Sequence, residues 1–77
     1  MTVDQRTYRH VGKSELTPKQ LEVLNLVALG LPDPAIAARM YVSETTTKRH
    51  VRDILSKLDA SNRANAVHVA HRKGILS

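Results

Sequence analysis

Residues 33–59 read DPAIAARMYVSETTTKRHVRDILSKLD, and the architecture turns on this stretch. Ser43 has the chemistry of a helix N-cap, and Glu44 beside it suits the positive end of a helix dipole. At the helical period, Thr47, Val51, Ile54, Leu55 and Leu58 fall in one apolar stripe, while Thr45, Lys48, Arg49, Arg52 and Ser56 cover the opposite face. Upstream, Ile36, Ala37 and Met40 share one side of a shorter helix. Asp33 is its expected cap and Pro34 its expected first helical residue, with Pro32 keeping the preceding chain extended. The stretch therefore predicts a short helix, a turn of about three residues at Tyr41 to Ser43, and a longer helix from Glu44 to Asp59 that is basic on its outer face.

Working outward, Thr17-Pro18-Lys19-Gln20 has the grammar of a helix start: a threonine cap, a proline where the missing N–H is harmless, and a glutamine placed to close a capping box. Leu16 and Leu21 take the staple positions. Leu21, Leu24, Val27 and Ala28 are the expected inner face of a helix over 18–29, and Gly30 the expected left-handed stop. After residue 59, Ser61 is the expected cap of a helix over 62–73, with Ala66, Val67 and Ala70 inward, Gly74 ending it, and Ile75 and Leu76 folding back. Residues 1–14 mix polar and charged side chains without a period and read as a flexible N-terminal arm; residues 15–77 read as the domain. No strand pattern or internal repeat occurs, so the expected fold is all-α: a compact four-helix domain containing a helix-turn-helix, with an arm.

A chain of 77 residues has room for one core and none for a deep, walled catalytic pocket. Hydrophobic residues are 42% of it, but Tyr8 and Tyr41 are its only aromatics, so that core must be aliphatic. The absence of cysteine excludes disulfides, thiolate-held zinc and a cysteine nucleophile, and fits a reducing, cytoplasmic setting. No apolar run exceeds four residues, as at Leu26 to Leu29, far too short to span a bilayer, and no membrane role is expected. The formal charge of +5 favours a polyanionic partner. It is unevenly placed: residues 1–42 hold five basic and four acidic side chains, residues 43–77 seven and three, so the excess sits with the second half.

Two helices joined by a short turn, the second basic outside, describe a helix-turn-helix, a motif that lays its second helix in the DNA major groove. The stretch from Leu16 to Leu76 resembles the LuxR/FixJ/GerE-type DNA-binding domain. The matching residues are Leu16-Thr17, Val23-Leu24, Gly30, Ile36-Ala37, Val42-Ser43, Thr46, Lys48, His50, Ile54, Lys57-Leu58, Arg63, Ala66-Val67 and Gly74-Ile75-Leu76. They run in order through the whole span. Three departures stand out: Thr47 replaces a usual buried valine, Pro32-Asp33-Pro34 replaces a polar lead into the second helix, and Gln20 replaces a frequent glutamate. A hydroxyl at Thr47 would cost about 1 to 3 kcal/mol in a core unless it bonds back to the carbonyl of Ser43.

The resemblance implies sequence-specific binding of double-stranded DNA by a transcriptional regulator or its output domain. It implies that Lys48, Arg49 and Arg52 meet base edges or flanking phosphates and that Thr46 and Lys57 meet the backbone. Thr45 and Glu44, at the leading end of the helix, are further candidates for base contact. Because the family pairs through its last helix, Ala64, His68, Val69 and His71 mark a homodimer surface, weak off DNA. A sigma-factor region 4-like helix-turn-helix, touching promoter DNA and RNA polymerase, and a small protein-interaction module are the alternatives. His68 and His71 stand three apart with no third ligand at suggestive spacing, so neither a metal nor a cofactor is expected. No nucleophile and base are paired in the pattern, and catalysis is not expected.

Overall fold

The computed structural model describes residues 16–76, which form four helices and no strand. We label them α1 (Pro18–Ala28), α2 (Asp33–Met40), α3 (Glu44–Leu58) and α4 (Arg63–Arg72). The expected arm, residues 1–14, lies outside the described residues. α3 is the centre of the packing and touches each of the other three helices. Around it the core is aliphatic: Val23 and Leu24 from α1, Ile36 and Met40 from α2, Val51, Ile54 and Leu58 from α3, and Ala66 and Ala70 from α4. Leu16, ahead of α1, and Ile75 and Leu76, beyond α4, close it from either side.

α1 begins as its sequence requires. The Gln20 N–H donates to Thr17 Oγ1 (3.1 Å), and the Thr17 N–H donates to Gln20 Oε1 (3.1 Å), completing the capping box. The buried face, however, is phased differently from the expected one. Gln20, Val23 and Leu24 are buried, Leu21 and Val27 are half-buried and Ala28 is exposed. A polar residue occupies the first inward position, so a count of apolar residues alone misplaces the stripe. Gln20 is accommodated because its side-chain oxygen also accepts a hydrogen bond from the Lys57 ammonium at the far end of α3 (2.9 Å).

α2 corrects the expected cap. Pro32 is the N-cap residue, extended at φ −77° and ψ 165°, while Asp33 and Pro34 occupy the first two helical positions. Pro32 contributes its carbonyl, which accepts from the N–H groups of Ala35 and Ile36 (both 3.0 Å). The Asp33 carboxylate bonds to side chains of α3 and α4 instead of capping its own helix. In α4 the cap is Asn62, not Ser61: the Asn65 N–H donates to Asn62 Oδ1 (2.8 Å), and Asn65 Oδ1 in turn accepts from the Ser61 N–H (2.9 Å).

All four helices end by the same closure. Gly30, Tyr41, Asp59 and Gly74 adopt positive φ, and the next residue donates its N–H to the carbonyl five back: Leu31 to Leu26, Val42 to Ala37, Ala60 to Leu55, Ile75 to Ala70. Those next residues are all apolar and at least half-buried, so each turn directs the chain back onto the core. Two of the four stops are the expected glycines. The other two, Tyr41 (φ 59°) and Asp59 (φ 56°), pay a steric penalty that glycine avoids.

Candidate nucleic-acid interface

α3 starts at Ser43, whose Oγ accepts from the Thr46 N–H (3.0 Å) and donates to Thr46 Oγ1 (3.0 Å). Glu44 lies in its first turn and Lys57 in its last, each complementing the helix dipole. Thr47 is fully buried, and its hydroxyl donates to the Ser43 carbonyl (3.2 Å), so the polar atom that replaces a methyl in the core is satisfied. Thr47, Val51, Ile54 and Leu58 are all buried, with Leu55 half-buried beside them, and they fix the rotation of the helix about its own axis.

That rotation leaves Thr45, Lys48, Arg49 and Arg52 exposed and Thr46 half-buried. Lys48 and Arg52 lie one turn apart, with Arg49 beside them. A helix of fifteen residues is about 22 Å long, enough for its first two turns to enter a groove about 12 Å wide while its last turns stay on the body. Lys57 is on the same helix but near its other end, with its ammonium bonded to Gln20. The expected DNA-facing residues therefore divide into a compact group at Thr45, Lys48, Arg49 and Arg52, the half-buried Thr46, and a separate Lys57.

One feature of this face is not visible in the sequence pattern. The Asp33 carboxylate accepts from the Lys48 ammonium at Oδ2 (3.2 Å) and from Arg63 Nη2 at Oδ1 (2.9 Å), linking α2, α3 and α4. Partial burial raises the Asp33 pKa, but hydrogen bonds and the positive charges of Arg63 and Lys48 outweigh it and hold the carboxyl below its usual 3.8. Separations of 15 and 30 residues carry no helical period, and so no sequence signal announces the contact.

On α4, Ala64, His68 and His71 are exposed, while Val69 is half-buried and packs partly on the core. Among the described residues no group of three or more His, Asp or Glu side chains could hold a metal ion, and no helix is long and apolar enough to cross a membrane.

Residues 14–70 match the GerE family, the luxR family of bacterial regulatory proteins. The chain belongs to the luxR family. Its helices are that family's helix-turn-helix DNA-binding domain, a regulator domain. Among luxR-type relatives, it is 42% identical over 72 residues to the uncharacterized transcriptional regulatory protein YxjL of Bacillus subtilis, which covers 94% of this chain and 33% of that protein. It is 37% identical over 62 residues to the nitrate/nitrite response regulator protein NarL of Escherichia coli, 80% of this chain and 29% of that one. The chain thus spans about a third of the length of such relatives. The solved structure of the transcription factor GerE superposes with a TM-score of 0.76 at 29% identity, covering 80% of this chain and 92% of that one.

Proposed function

We propose that this domain reads duplex DNA for a transcriptional regulator by laying the first half of α3 in the major groove. Lys48, Arg49 and Arg52 meet base edges and flanking phosphates, Thr45 adds a base contact at the leading end of the helix, and Thr46 and Lys57 meet the sugar-phosphate backbone. The observation that carries this reading is the division of α3 into a fully engaged inner face and an outer face with three exposed cations on adjacent positions. Arginine and lysine offer donors to guanine O6 and N7, while the same cations on phosphates set register and salt dependence. The named relatives, transcriptional regulatory proteins, support a cytoplasmic regulator as the setting.

Two copies pair through α4 on a two-fold-related site, using Ala64, His68, Val69 and His71. Three of these are exposed, and His71 borders a shallow recess shared with the largely exposed Leu29. The decisive experiment replaces Lys48, Arg49 and Arg52 with alanine together. The variant should unfold at nearly the parent temperature, because exposed substitutions shift stability by under about 0.5 kcal/mol. It should lose binding to duplexes that the parent selects from a random pool. Undiminished binding by a folded triple variant would remove α3 as the reading helix and favour a protein-interaction module.

A further inference from the structure

We propose that Asp33 is a positioning residue for DNA recognition: its carboxylate, anchored by Arg63, holds the Lys48 ammonium in place on the DNA-facing surface. This rests on the reading that α3 faces the groove. The geometry has two halves. Asp33 is itself fixed, because it sits in the first turn of α2, its side chain is only 14% exposed, and Arg63 of α4 bonds one carboxylate oxygen at 2.9 Å. Lys48 bonds the other oxygen at 3.2 Å, yet its side chain stays 63% exposed.

An ammonium has three donors. One is directed at Asp33, and the others remain for a DNA acceptor. A lysine otherwise loses much rotamer freedom when a partner immobilises it. Here that ordering is made in advance by a contact within the domain, so less is lost when the acceptor arrives. The carboxylate does not make this patch repel DNA: with Lys48 and Arg63 around one Asp33 the cluster has a formal charge of +1. The contact is also well placed to act across elements, since α2 and α4 share little direct packing and Asp33 is a bond between them.

A fixed lysine helps most where its acceptor is fixed as well, which is a base edge or phosphate in a matched site. Random duplex offers no constant acceptor and gains little. Asp33 therefore contributes to discrimination more than to bulk affinity.

The test uses the whole chain, a pool of random-sequence duplexes, and the tightest duplex the parent selects from that pool. Asp33→Asn keeps the volume and removes the charge. It should weaken binding to the selected duplex by about three- to tenfold, a part of the freedom a lysine loses on ordering. Binding to the random pool should change by less than about twofold. In a Lys48→Gln background, which should itself weaken selected binding, Asp33→Asn should change the selected-to-random ratio by less than about twofold, the limit of ordinary additivity. A merely structural role would move both backgrounds alike and so overturn the proposal. Tighter binding of both DNAs by Asp33→Asn would also overturn it, showing a carboxylate that competes with DNA for Lys48. If Lys48→Gln alone leaves selected binding unchanged, the placement of Lys48 at the DNA fails, and the positioning role with it.

Arg63→Gln, which releases the anchor while keeping the Asp33 charge, should lower the same ratio and serves where Asp33→Asn does not fold. In the unmodified chain, NMR relaxation of the side-chain methylenes should show Lys48 Cε more ordered than Cε of the exposed Lys19. Equal mobility of the two would overturn the proposal without any substitution.

Discussion

Tyr41 combines two properties that rarely serve one residue. Its backbone is left-handed at φ 59°, and its side chain is 94% exposed, so a steric cost is carried with little packing returned. Replacement by glycine removes the cost and sacrifices almost no burial. Tyr41→Gly should therefore raise the unfolding free energy by about 0.5 to 1 kcal/mol, seen as a thermal midpoint about 2 to 8 °C higher. Asp59 holds the same conformation, but aspartate tolerates it better, and the gain there should be smaller. Asp33 makes a prediction of the opposite kind. Its carboxyl is held below the usual value in the folded state, so the stability it adds is fully present above about pH 4 and fades as acid protonates it through its lowered folded value. Thermal unfolding from pH 7 down should show no loss traceable to this group until below about pH 4. There the parent should lose stability that Asp33→Asn no longer has to lose.

At the scale of the element, α3 was the most legible part of the chain. Its inward positions are dense and its outward ones charged, so phase and length follow from the sequence to within a residue: Glu44 to Asp59 expected, Glu44–Leu58 found. α1 had clear ends but a misread face, because the inward position at Gln20 is polar and is satisfied only by Thr17 and by Lys57, 37 residues away. The caps of α2 and α4 moved by one residue for a related reason: Asp33 and Ser61 both resemble caps, and the competing partners that decide between neighbours are tertiary or several residues off. The cationic group on α3 was legible from spacing and family resemblance; its tie to Asp33 and Arg63 was not. For single substitutions on this helix, the roles separate by salt. An arginine that reads a base should cost about 1 to 3 kcal/mol on the selected duplex when replaced by alanine and relax preference at one base pair. A lysine on a phosphate should weaken selected and random DNA alike and lower the salt slope by about 1. Titrations of each variant at several salt concentrations assign Lys48, Arg49 and Arg52 individually.

For the whole molecule, the surface left on α4 is small. Ala64, His68 and His71 present little apolar area and Val69 is already partly committed to the core, so pairing in dilute solution should be weak. Two adjacent half-sites would raise the effective concentration of one copy near the other, and sedimentation should then show one domain free and two per selected duplex at saturation. A single copy at saturation would exclude pairing. The four repeated helix stops, finally, bear on how quickly the fold is found. Each lies within about six residues of chain, so where a helix ends is settled before any distant segment arrives. The search that remains is the docking of short rods of predetermined length across brief turns, which is the low-contact-order regime. Relaxation after a temperature jump should accordingly fall in microseconds to milliseconds, with a single exponential and no slow assembly phase.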